Sequence, residues 1–147
     1  MNHAVVLRSV AALSLVTLFA AAPASAADTP DLVGTWKTSG EMPRAHWGSG
    51  NEHGLDAAAT PTAKMVASDW SFVIEAQDGR AFYGHATSPK GTKETLVGVI
   101  RRDNKTLVLS GDNAGLEGLV EGNEMELCFA DHASGKAHAF CTVMVKQ

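Results

Sequence analysis

From residue 69 onward, apolar and polar positions alternate with a period of two, in short runs broken by turn residues, and this pattern predicts β-strands. The runs are 69–77, 80–87, 94–101, 105–110, 114–121, 123–130 and 137–146, preceded by an earlier one at 32–37. Asp78-Gly79, Asp103-Asn104, Gly122-Asn123 and Ser134-Gly135 stand between successive runs. Gly, Asn and Asp tolerate the positive φ that tight hairpin turns require. About eight strands paired in sequence predict an all-β, antiparallel up-and-down barrel, because closure removes both exposed sheet edges.

A two-residue turn also fixes which residues face each other. Turning at Ser134-Gly135 sets Cys128 opposite Cys141, at a non-hydrogen-bonded position where the Cα atoms approach most closely, so a disulfide is expected there. The same hairpin sets Met125 against Met144, Leu127 against Thr142, Phe129 against Phe140 and Asp131 against His138. Turning at Gly122-Asn123 sets Val120 against Met125, Gly118 against Leu127 and Leu116 against Phe129. Both hairpins therefore put Met125, Leu127 and Phe129 inside and the disulfide outside, and this agreement supports the fold. The hairpin around Asp103-Asn104 pairs Val97 with Ser110, Val99 with Val108 and Ile100 with Leu107; both its faces are apolar, which leaves its orientation open.

A turn at Asp78-Gly79 pairs Trp70 with Thr87, Phe72 with His85, Ile74 with Tyr83 and Val73 with Gly84. With the Trp70, Phe72 and Ile74 face inward, Tyr83 and His85 come with it. Trp70, Phe72, Tyr83 and His85 then form an inner aromatic patch with polar tips, and these four are the expected ligand-binding residues. Aromatic surface supplies affinity for a small, partly apolar molecule, and a few polar groups orient it.

Residues 1–26 read as a secretory signal peptide. Arg8 supplies the positive charge, Val10 to Ala22 the apolar run, and Ala24-Ser25-Ala26 the small-residue cleavage site after Pro23. A membrane span needs about 20 apolar residues, and this run is shorter. Residues 27–147 are then a single barrel domain, periplasmic or secreted, in a compartment where paired cysteines oxidise. The chain carries a net charge of −4, and losing Arg8 makes the remainder more negative. A mildly acidic protein of this kind is not expected to bind nucleic acid, or a membrane once the leader is cleaved.

The opening Gly34-Thr35-Trp36, followed by a meander of hairpins, resembles the calycin group of barrels, which includes lipocalins and avidins. A Gly-x-Trp in the first strand recurs in that group. The resemblance implies an eight-stranded barrel that binds a small ligand; it supplies no site residue for this chain.

The segment from Thr38 to Ser68 is read as one long loop after the first strand, and long loops in compact domains are often functional. Two other readings are that 40–47 continues the first strand or adds another, and that Leu55 to Ala67 includes a short helix plugging one barrel end. His46, Glu52, His53 and Asp56 are metal-ligand types, but the spacing of His46 and His53 matches no zinc motif, and no metal is expected. Asp131 and His138 could orient an imidazole for proton transfer, but no nucleophile has a place beside them. Arg101, Arg102 and Lys105 read as a solvated hairpin tip. No catalytic motif or cofactor signature stands out. The sequence thus predicts a non-enzymatic barrel whose partner is a small molecule held in or at its mouth. The alternative is a structural or protein-interaction module with a packed core and no ligand.

Overall fold

The structure, a computed structural model, describes residues 28–50, 56–112, 115–133 and 135–147. The leader sequence read at 1–26 lies outside these residues. The described chain is all β: β1 (Gly34–Thr38), β2 (Glu41–Gly48), β3 (Ala58–Ala67), β4 (Ser71–Asp78), β5 (Ala81–Thr87), β6 (Lys93–Ile100), β7 (Thr106–Ser110), β8 (Gly115–Glu121), β9 (Glu124–Ala133) and β10 (Lys136–Lys146). Every pairing is antiparallel. Strands β1, β4 to β9 and β10 follow one another around a ring, and β1 pairing with β10 closes it into an eight-stranded barrel.

The β6–β7, β8–β9 and β9–β10 hairpins have the registers expected from their turns. Ile100 faces Leu107, Val120 faces Met125, and ten consecutive pairs from Lys136–Ala133 to Val145–Glu124 include Cys141 opposite Cys128. The Cys128–Cys141 disulfide is formed, across a sequence separation of 13. Closing so short a loop is worth about 2–3 kcal/mol if loop entropy in the unfolded chain dominates. The hairpin that was apolar on both faces is also oriented: Leu96, Ile100, Leu107 and Leu109 are buried, whereas Val97, Val99 and Val108 are exposed.

The β4–β5 hairpin departs from its expected register, for two reasons. The turn residues are Gly79 and Arg80, flanked by the pair Asp78–Ala81, and Glu75 is an extra residue bulged between Ile74 and Ala76. Moving the turn by one residue at each side keeps the facing of β5, but a one-residue bulge reverses it. Phe72 therefore faces Ala86, Val73 faces His85 and Ile74 faces Gly84. Phe82, Gly84 and Ala86 point inward, while Tyr83 stands 53% exposed on the outer wall.

Among the described residues the segment 38–68 is mostly strand rather than one loop, and from Asp56 to Ala67 it holds no helix. β2 continues the line of β1 along β10, and β3 continues that of β4. Ser39 N–H donates to Val143 O where β1 gives way to β2, and Thr38 N–H donates to Trp70 O on the other side. Strand β10 is long enough to serve both: its C-terminal part pairs β1 within the barrel, and its first residues, Lys136 to Phe140, pair β2. The β2–β3 hairpin thus rises beyond one barrel end as a flap that satisfies backbone groups of β10. β3 is the outermost strand, and it tolerates Pro61 because an edge strand needs no second ladder.

The opposite end is closed. Leu32 and Trp36 are fully buried there, and Trp36 Nε1–H donates to Leu32 O at 2.8 Å. Gln77, on the inner side after the bulge, ties the incoming segment down: its Nε2 donates to Pro30 O and Gly79 O, and its Oε1 accepts from Leu32 N. Above this floor Phe72, Ile74, Phe82, Leu96, Met125, Leu127 and Met144 form one apolar cluster. Large side chains lie over glycines: a Cβ on Gly98 would come 2.3 Å from the Phe82 ring, and one on Gly118 would come 2.6 Å from Leu127 Cδ2. The lower barrel is filled by its own residues.

Candidate functional site

A filled lower barrel leaves the mouth and the flap as the place for a site. Alternation along β2, β9 and β10 carries the barrel's inner surface onto the concave face of the flap. Met42, Arg44 and His46 of β2 share that face with Phe129 and Asp131 of β9 and with Lys136, His138, Phe140 and Thr142 of β10. From β3, Thr62 and Lys64 join it opposite His46 and Arg44. Pro43, Ala45 and Trp47 point the other way and are exposed.

Moving outward, the lining changes from apolar to aromatic to charged. Met42 and Met144 are buried at the neck. Next come Phe129 and Phe140, stacked with centroids 5.1 Å apart, and His138, whose ring centre is 5.3 Å from each. His46 meets His138 edge-on at 6.4 Å. Beyond these rings lies an open groove of about 320 Å3, lined by Arg44, His46, Asp56, Thr60, Thr62 and Lys64 among small alanines. The Thr62 hydroxyl lies 3.0 Å from His46 Nδ1.

Several buried polar atoms on this face have no hydrogen-bond partner among the described residues: Arg44 Nε, His138 Nε2 and Thr142 Oγ1. His138 is 8% exposed and Thr142 4%. Such atoms are rare in folded proteins, because each costs about 1–3 kcal/mol to bury unpaired. Three on one concave surface mark a place where binding a polar group would recover that cost.

The charges respond to the same burial. Desolvation, with the charge of Arg44 and then His46, pushes the His138 imidazole down to about 4; Asp131 across the strand pulls the other way, and Lys136 adds a small push down. The ring is therefore neutral at pH 7. Burial also lowers the Arg44 pKa, against the attraction of Asp56. Asp131 is engaged by a different cation, its Oδ2 accepting from Lys136 Nζ at 2.9 Å. The expected Asp131–His138 neighbours do face each other, but the carboxylate is turned to lysine.

A pH effect on stability follows. His138 takes up its proton more readily in the unfolded chain, at about 6.5, than in the folded one, at about 4. Between those values the unfolded state binds more protons, so stability is fully present above pH 6.5 and is lost as pH falls toward 4. The loss expected from this group is about 3 kcal/mol. Urea unfolding at stepped pH should show it in the wild type, with a shallower slope in His138→Phe.

Of the four residues expected to bind ligand, the structure keeps Trp70 and Phe72 on the inner side. Trp70 packs on the core near the mouth, 6.4 Å from the Phe72 ring and edge-on to it, and Phe72 belongs to the core itself. Tyr83 and His85 are separated from them by the Glu75 bulge. His85 Nδ1–H instead donates to Glu75 Oε1 at 2.8 Å on the outer wall. Beside that pair, Tyr83, Val97, Val99 and Val108 make an exposed apolar band across β5, β6 and β7. Of the residues considered as metal ligands, His46 and Asp56 line the groove, while Glu52 and His53 lie outside the described residues. Sequence reasoning missed the concave face, although the alternation Met42, Arg44, His46 against Pro43, Ala45, Trp47 was a period-two signal for it.

No protein-family model matches the chain, and no similar curated protein was found. Among solved structures, the S-type phycobiliprotein lyase CPES from Guillardia theta shows a likeness with a TM-score of 0.36 at 13% identity, covering 79% of this chain and 88% of that one. At that similarity the likeness bears on neither the site nor its chemistry.

Proposed function

We propose that this barrel is a binding module that holds a small, partly apolar molecule at its mouth, against the concave face of β2, β3, β9 and β10. The observation that carries this reading is the set of buried polar atoms on Arg44, His138 and Thr142 that have no partner among the described residues, next to the stacked rings of Phe129 and Phe140. An apolar surface with a few converging polar groups is what small-ligand sites share. The packed lower barrel favours the mouth over the interior as the seat of the ligand. Trp70 and Phe72 stand on the same inner surface and can only touch a ligand that reaches down from above. The disulfide suits a protein working outside the cytoplasm, in the periplasm or secreted.

A neutral fluorescent probe, N-phenyl-1-naphthylamine, tests the reading. Saturable binding at one site is expected, weakened about tenfold by Phe140→Ala, which removes roughly 1.4 kcal/mol of contact. Tyr83→Ala, on the outer wall, should leave it alone. A probe that fails to bind, or that responds to Tyr83→Ala and not to Phe140→Ala, would overturn the assignment of the mouth.

A further inference from the structure

We infer that the molecule held at the mouth is an organic acid, whose carboxylate is taken by Arg44 with Lys64 beside it while its apolar body lies against Phe129 and Phe140. This inference rests on the proposed binding role and adds the chemical class of the ligand.

The first argument is what is left unpaired. Arg44 presents a buried Nε–H that meets no acceptor among the described residues. Guanidinium is always charged and can only donate, so the group that satisfies it is an acceptor, and a charged acceptor makes the stronger bond. Thr142 adds a buried hydroxyl that can donate, and neutral His138 adds Nε2.

The second argument is the balance of charge. Arg44 and Lys64 lie on facing positions of β2 and β3 and line the same groove, with Asp56 as the one carboxylate among its described lining residues. The other acid on this face, Asp131, is already taken by Lys136. The groove therefore has positive charge to spare, and a cationic ligand would meet two like charges.

The third argument is shape and depth. A groove of about 320 Å3 is at the small end of ligand sites. It adjoins the aromatic pair through His46 and His138, so head group and apolar body have adjacent places. A planar carboxylate matches the side-on fork of a guanidinium, which here offers its Nε edge.

Octanoate, octanol and octylammonium, which share one chain and differ in head group, separate the possibilities. Their binding is followed by NMR on the full folded domain, with the Arg44 Nε–H resonance as a direct reporter. Octanoate is expected to shift that resonance and to bind about tenfold or more tighter than octanol, the effect of one charge-assisted hydrogen bond. R44Q should abolish the preference, so that the acid binds no tighter than the alcohol; K64Q, on the exposed side of the groove, should reduce it and serves if R44Q does not fold. Equal binding of acid and alcohol, untouched by either substitution, would overturn the carboxylate while leaving a binding barrel. Tighter binding of octylammonium would overturn it in favour of Asp56. Failure of all three compounds, together with failure of the neutral probe, would overturn the binding role itself.

Discussion

Gly84→Ala is expected to destabilise the protein by about 3 kcal/mol or more, an overpacking cost at the upper end for a single methyl group. Gly84 lies inside the barrel opposite Ile74, where the Glu75 bulge brings the two backbones together. A Cβ there would come 1.9 Å from the Val73 carbonyl oxygen and 2.9 Å from its carbon. A side chain could turn aside from such a contact; a backbone carbonyl held in a ladder cannot. The strands must part or the bulge must slide, and sliding it would reverse the facing of β5 and expose Phe82. Urea unfolding of Gly84→Ala beside Gly115→Ala checks this. Gly115 has an ordinary φ, and a Cβ there would meet only Leu109 O at 3.9 Å, so its substitution should change stability by about 1 kcal/mol or less. Equal effects at the two glycines would mean that the bulge is not under this constraint.

Trp36→Ala is expected to cost about 3–5 kcal/mol, a large share of the stability of an ordinary domain. The indole is fully buried, and it is bonded at its nitrogen to the segment that floors the barrel. Removing it opens a cavity and frees the Leu32 carbonyl at once. Lys146 Nζ also lies 5.7 Å from the ring centre, so the change reaches the last residue of β10. Trp36→Phe keeps most of the ring and loses the hydrogen bond, at a cost of about 1–2 kcal/mol. Thermal unfolding by near-ultraviolet circular dichroism would rank the two. A small, equal loss for both would show that neither the cavity nor the bond matters, and that the barrel floor is held by Gln77 alone.

The barrel was legible in the sequence where its signals are local. A pair of turn residues determines a register without knowledge of the rest of the chain, and Cys128–Cys141, Val120–Met125 and Ile100–Leu107 follow from nothing else. The bulge at Glu75 was not legible, because an extra residue leaves no mark of its own in an alternating pattern. Its trace is indirect: Gly84 is small where the backbones crowd. The error at Tyr83 and His85 has this one cause. β3 was missed for another reason. Its residues are mostly exposed on both faces, and Ala, Thr and Pro there follow no apolar rhythm. The concave site was illegible as a set, since Arg44, Phe129 and His138 come together only through the pairing of β2 and β9 with β10.

Closure of the ring has a consequence in time. Hairpins from β4 to β10 join near neighbours and can zip in sequence, within microseconds each. The seam is different: β1 meets β10, and Lys146 Nζ donates to Asp31 O across 115 residues. Long-range pairing of this kind must overcome chain entropy before its contacts repay it, so it sets the slow step of assembly. Until then β10 presents an unpaired ladder over its whole length, because β1 and β2 cover it together. A newly made chain would thus spend its most adhesive moments as a curled sheet with one open border, and the flap would be the last part to gain a wall to stand against.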